Sequence, residues 1–183
     1  MKSLWKLAVV TSAAALLVAC GGGGLASGVV LALRARSISA EIYVVEPESH
    51  PQYARARERR GPITIDPGGE TSCDALRSRK IGKRAFEFLE RSNVHVCAIG
   101  DELVRDARCL LYRTCDIWAE PSGAVALGAV LGGMIGKEHG RTWVIACGGN
   151  AELPDGLADG DQVRVVGAKG KPATASEKQD VKG

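Results

Sequence analysis

The sequence predicts an α/β domain built on a parallel sheet, and three observations lead there. Short apolar runs, "LLVAC", "EIYVVEP", "VHVCAIG" and "RTWVIAC", alternate along the chain with segments of helical period. A cluster of four glycines stands between the first run and the first helical segment. Glycine is abundant at 23 residues while aromatics make up only 4%, a balance suited to Ala, Val and Leu layers joined by tight loops. A length of 183 residues with 45% hydrophobic and 25% charged content allows one domain with a real core and no second large one.

Taken in order, residues 4–19 are apolar but short for a bilayer helix, which needs about 20 residues. "LLVAC" is the first strand, and the glycines feed a helix over "LASGVVLALRARSISA", with Leu25, Val29, Ala32 and Leu33 at helical spacing and Arg34 and Arg36 at the dipole's negative end. "EIYVVEP" is a buried strand closed by Pro47. Strand, loop, helix and strand make a βαβ unit. "RSRKIGKRAFEFLERS" reads as a loop and a short helix, and "VHVCAIG" as a strand. "DELVRDARCLLYRTC" puts Leu103, Ala107, Leu110 and Leu111 on one face and offers Asp101 as N-cap. "SGAVALGAVLGGMIG" is a small-residue helix that packs close to its neighbours, and "RTWVIACGGN" is a final buried strand entering a Gly-Gly turn. The expected organisation is an apolar segment over residues 1–14, the domain over 15–153, and a polar flexible tail over 154–183.

Charge and cysteine usage narrow the function. The net charge of +3 is spread along the chain, and "RARERR" at residues 55–60 reads as a solvated helix face, so nucleic acid is not an expected partner. Cys20, Cys73, Cys97, Cys109, Cys115 and Cys147 lack zinc-site spacing and are expected to be reduced. His50, His95 and His139 fall in separate segments, expected on the surface or in loops, and no metal is expected from them.

A glycine cluster after a strand brings backbone N–H groups up to an anion, and the following helix points its positive end at the same place. Gly21, Gly22, Gly23 and Gly24 fit that description. The dinucleotide spacing fails, because its third glycine falls on Ser27, and no GKS or GKT is present for a triphosphate. A smaller phosphate remains.

The ordered set "GGGGL", "VVEP", "SCDAL", "EPSGA" and "CGGN" resembles the C-terminal half of the pyridoxal-phosphate enzymes related to serine and threonine dehydratase, which have the tryptophan-synthase-β-like fold. The resemblance runs over residues 15–150. It implies pyridoxal 5'-phosphate as cofactor, with its phosphate held by Gly21, Gly22, Gly23, Gly24 and Leu25. Cys147 matches the residue that faces the pyridine nitrogen, and Glu120 matches a carboxylate lining the ring. Asp74 lies where the family has Ala-Asp-Gly, with Ala75 in place of the glycine. Glu46 matches a position that binds a divalent cation in some members, but the companion carboxylate six residues on is Gln52, so no metal is expected. The four-glycine loop followed by leucine is similar to the dehydratase branch. That branch removes the α-proton of a β-hydroxy amino acid such as serine, threonine or a hydroxylated aspartate, and releases a 2-keto acid and ammonia.

The family's Schiff-base lysine precedes the glycine loop. Lys2 and Lys6 are poor substitutes, and Lys80, Lys83 and Lys137 read as solvent-facing, so no catalytic residue is identified. The expectation is a truncated or split C-terminal half, inactive alone, whose partner is an N-terminal half or a second copy. "MKSLWK", "LAVVTSAAALL" and "LVAC" also fit a lipoprotein signal with Cys20 as the lipidated residue. The two readings compete for the same residues, because cleavage before Cys20 deletes the first strand. The strand reading, with a cytoplasmic protein, accounts for more of the sequence; a lipid-anchored or non-catalytic protein derived from the fold is the alternative.

Overall fold

The computed structural model describes residues 14–136 and 140–149. The signal-like segment, Lys2, Lys6, Lys137, His139, Asn150 and the polar tail lie outside the described residues. The elements are β1 (Ala14–Ala19), α1 (Gly24–Ala35), β2 (Glu41–Pro47), α2 (Gln52–Glu58), a 3₁₀ turn (Asp74–Leu76), α3 (Lys83–Glu90), β3 (His95–Ile99), α4 (Asp101–Cys115), α5 (Pro121–Leu131) and β4 (Arg141–Val144).

The four strands form one sheet in the order β3-β2-β1-β4, with every pairing parallel. Strand β1 is central, running Ala15 against Glu41 on one side and against Thr142 on the other. Its side chains alternate between two cores, as the two-residue period of a strand requires. Ala15, Leu17 and Ala19 join Tyr43, Val45 and Ile99 beneath Val125, Ala126 and Ala129 of α5. Val18 and Cys20 face the other way, with Ile42 and Val44, onto Ala26 and Val30 of α1, Tyr53 and Ala56 of α2, and Phe86 and Leu89 of α3. The result is three layers, with α1, α2 and α3 on one face and α5 backed by α4 on the other.

Small residues set the helix spacing on the second face. A methyl group at Gly128 would lie 2.5 Å from Ile99 Cδ1 and 3.1 Å from the Leu103 carbonyl, so α5 approaches β3 and α4 too closely for any larger residue. The small-residue character of "SGAVALGAVL" is therefore a packing requirement.

Four expectations need correcting. Asp101 is not the N-cap of α4; Gly100 holds that position, and the Asp101 carboxylate accepts hydrogen bonds from Thr71 Oγ1 and Ser72 N, both at 2.7 Å. Strand β4 is not buried, because it has a neighbour on one side only among the described strands and Trp143 is 56% exposed. Leu25 is not on the buried face of α1, where Ala26 and Val30 do that work. His50 lies in a loop as expected but is buried, with Nδ1 2.9 Å from Ser49 Oγ. All six cysteines are free thiols, and no described helix is long and apolar enough to cross a membrane.

Candidate cofactor site

The glycine loop begins where β1 stops pairing. Cys20 N donates to Val45 O at 2.8 Å, and the chain then leaves the sheet through Gly21, Gly22 and Gly23 into α1. Gly23 is the N-cap in the left-handed region, with φ of 89°, and an added Cβ would meet Ala85 Cβ at 2.7 Å and Ile81 at 3.1 Å. Only glycine serves there. Gly22 and Gly24 are different, since nothing lies within 4 Å of a Cβ added at either. One glycine makes the turn, and the other two leave open space above their backbone.

The carbonyls of the loop are all engaged. Gln52 Nε2 donates to Cys20 O at 3.2 Å and to Gly21 O at 2.6 Å. Gly82 N donates to Gly22 O at 3.1 Å, and Ser27 N to Gly23 O at 3.0 Å. The N–H groups of Gly22, Gly24 and Leu25, by contrast, find no acceptor among the described residues, while the Gly23 N–H faces the Cys20 sulfur. Carbonyls drawn back and amides left free at a helix N-terminus form a receptor for an anion. The loop predicted from sequence thus has free amides and open glycines that fit an anion such as the phosphate of pyridoxal 5'-phosphate.

Beneath the loop, burial raises the Cys20 thiol above its usual range, and the neighbouring Glu46 carboxylate adds to that effect. Glu46 is itself fully buried. Its two oxygens accept from Tyr53 N at 2.7 Å and Ala54 N at 2.9 Å, holding two of the otherwise unpaired amides that open α2. Burial pushes its pKa up to about 7, against the lowering effect of those two N–H groups. Glu46 thus clamps the start of α2. Among the described residues no group of three or more His, Cys, Asp or Glu side chains converges on a metal position.

The second part of the site lies where α5 begins. Glu120 is the N-cap and Pro121 follows at the first helical position, where its missing N–H costs nothing. Glu120 N donates to Gly148 O at 2.8 Å, and the Glu120 side chain lies against Gly148, whose φ is 79°. The Cys147 carbonyl occupies the place a side chain on Gly123 would need. Glu120 and Cys147, far apart in sequence, are therefore brought together, and Cys147 is exposed. The 3₁₀ turn links this region to the glycine loop. Ala75 N donates to Ser122 Oγ at 3.1 Å, and the Ala75 carbonyl lies 3.1 Å from where a Cβ on Gly21 would be. Asp74 points away into solvent and pairs with Arg77 at 3.1 Å.

A cleft of about 310 Å³ opens at the C-terminal ends of β2 and β3, lined in part by Glu48, Glu70 and Asp101. Partial burial acts to raise Asp101, but the Ser72 N–H and Thr71 hydroxyl hold it below the usual carboxylate range. Such an acidic wall repels a phosphate. Lys80 and Lys83 are exposed.

Sequence reasoning missed Gln52, Gly82, Ser122 and the bridging part of the 3₁₀ turn. Gln52 carried a signal, an amide where a carboxylate was expected, that was read only as the loss of a metal site.

A βαβ sheet with a helix-opening phosphate loop and a second loop at Glu120 and Cys147 is a cofactor-binding α/β architecture. Residues 6–148 match the model of the pyridoxal-phosphate dependent enzyme family, and the chain belongs to that family. It is 29% identical over 139 residues to a phenylserine dehydratase of Ralstonia pickettii, covering 75% of this chain and 42% of that protein. It is 30% identical over 137 residues to an L-threonine ammonia-lyase of Thermotoga maritima, covering 75% of this chain and 34% of that protein. The structure of maize serine racemase superposes with a TM-score of 0.68 at 28% identity, over 80% of this chain and 47% of that one. The chain thus spans a third to a half of the relatives it matches. The fold is the tryptophan-synthase-β-like fold of pyridoxal-phosphate enzymes, and pyridoxal phosphate is the family's cofactor.

Proposed function

We propose that this chain forms the phosphate-binding and ring-lining half of an ammonia-lyase that eliminates the β-hydroxyl of a serine- or threonine-type amino acid. The observation that carries the reading is the glycine loop, with four carbonyls engaged and the amides of Gly22, Gly24 and Leu25 free. Dehydratases and ammonia-lyases among the relatives favour elimination, while the similarity to a serine racemase makes racemisation the competing outcome.

When bound, the cofactor supplies the electron sink that lets an amino acid lose its α-proton and then its β-substituent. The chain's own residues do the holding. The free amides and the positive end of α1 would bind the phosphate dianion and so fix one end of the molecule. Glu120 and Cys147 would line the ring, and a thiol at Cys147 would offer the pyridine nitrogen a neutral neighbour in place of a carboxylate. That weaker sink favours elimination over amino-group transfer. The lysine that must anchor the aldehyde is not placed among the described residues, so in this proposal it comes from polypeptide outside them, in an N-terminal half or a second copy.

The test is a pyridoxal-phosphate titration of the purified full chain, alone and mixed with the N-terminal half of a related ammonia-lyase. Absorbance above 400 nm is followed before and after borohydride, and the modified lysine is mapped by mass spectrometry. Keto-acid formation from L-serine, L-threonine, 3-hydroxyaspartate and phenylserine is measured beside D-enantiomer formation. Keto acid from the mixture and none from the chain alone supports the reading. A reducible adduct on Lys80 or Lys83 with full activity of the chain alone overturns the split site, and D-serine without keto acid overturns elimination. We also propose a cytoplasmic location, supported by six free thiols and by a Cys20 that is 1% exposed within the core. Fractionation of the wild type and Cys20→Ser is the check; membrane association that depends on Cys20 would establish the lipid-anchored alternative.

A further inference from the structure

Gln52 is the one side chain in the site whose chemistry is opposite to what the resemblance leads one to expect. It opens α2, is fully buried, and reaches back from the end of β2 to the start of the glycine loop after β1. Its Nε2 stands 3.2 Å from Cys20 O and 2.6 Å from Gly21 O. Two successive carbonyls aimed at one point repel each other, and something positive must lie between them. An amide NH₂ carries two hydrogens and meets both. The cost is visible at the other atom, since Gln52 Oε1 is buried with no partner among the described residues. Turning the amide over would bring that oxygen against both carbonyls, so the loop fixes the orientation.

Glu46 sets where the amide sits. By accepting Tyr53 N and Ala54 N it seats the first turn of α2 directly behind the loop. A carboxylate at position 52 would face Glu46 and the two carbonyl dipoles together, a repulsion that a bound cation or an added proton would have to relieve. The residues present do not fit a divalent cation, because Gln52 presents a donor to the two loop carbonyls where a second carboxylate would be needed.

We propose that the Gln52 amide takes the place of a bridging cation, drawing the Cys20 and Gly21 carbonyls back so that the loop's amides stay turned to the cofactor phosphate without any metal. Gln52 is thus a positioning residue for the phosphate loop. The inference rests on the loop being the phosphate site, and not on which amino acid is turned over.

The experiment measures binding of pyridoxal phosphate and of inorganic phosphate to the full chain by calorimetry, in EDTA and in 5 mM magnesium or calcium. Wild type is expected to bind equally in both. Gln52→Glu is expected to lose at least tenfold in phosphate affinity in EDTA and to recover most of it with the divalent cation. Gln52→Leu, which has neither donor nor charge, is expected to lose affinity in both conditions. Thermal melts of each variant, with and without cation, separate a misplaced loop from an unfolded one, and the wild-type comparison needs no variant at all. Cation-dependent binding by wild type, or undiminished binding by Gln52→Glu in EDTA, overturns the inference while leaving the phosphate loop intact. No binding of either probe by wild type overturns the loop reading itself, and absent keto-acid production with normal phosphate binding touches only the proposed reaction.

Discussion

The two ends of the cofactor site are built to different standards. At the phosphate end, each loop carbonyl from Cys20 to Gly23 has a donor, drawn from α1, α2 and the residue before α3. At the ring end, Glu120 and Cys147 are held by one backbone hydrogen bond and one close backbone contact, and residues 146–149 are exposed. The first is over-determined by long-range contacts, and the second depends on how β4 meets α5. In the proposed site the anion-facing loop is thus held on every side by described residues, whereas the stretch around Glu120 and Cys147 is exposed among them.

The largest effect is expected at Gly23. Gly23→Val combines a left-handed backbone with a collision against Ala85, and should cost about 3–5 kcal/mol and abolish phosphate binding. Denaturant unfolding and a phosphate titration measure the two effects.

Next in size is the pH response of the phosphate end. The folded Glu46 pKa of about 7 stands above the ordinary 4.5, so between those values the native state binds the extra proton. Stability should therefore fall as pH rises from 4.5 to 7 and level off above, by a total of about 3 kcal/mol at most. Glu46→Gln should flatten that slope in urea melts at stepped pH; an unchanged slope would mean that another group carries it.

At the ring end the effects should be smaller. Gly123→Ala pushes a methyl into the Cys147 carbonyl and should cost about 2 kcal/mol by prising β4 from α5, while phosphate affinity stays within twofold because the loop is untouched. Equal losses at both ends would show that the 3₁₀ turn couples them through Ala75. Smallest of all, Cys147→Ser replaces an exposed thiol and should change stability by less than about 0.5 kcal/mol. Its effect belongs in the spectrum of bound pyridoxal phosphate, and a silent substitution there would remove Cys147 from the ring wall.

What could be read from sequence was what local chemistry decides. β1, the glycine loop, α1 and β2 follow from a glycine cluster between apolar runs and from Pro47 closing β2. What could not be read depends on partners distant in the chain. Asp101 has the composition of an N-cap but turns to Thr71 and Ser72, some thirty residues back. "TWVIA" has the composition of a buried strand, but burial is set by neighbours, and β4 has one described strand beside it. Gln52 and Gly82 look like ordinary loop and helix-entry residues until the fold carries them to the Cys20, Gly21 and Gly22 carbonyls.

Among the described residues the far flank of β4 has no strand beside it, and this has a consequence for handling the protein. Arg141, Thr142 and Trp143 present a row of backbone groups with a large indole beside them, and such a row templates further strand pairing. Its shortness and the charge of Arg141 blunt the tendency without removing it. Concentrated solutions should scatter light before dilute ones do, and Trp143→Lys, which adds a second charge to the flank, should raise the concentration at which turbidity begins.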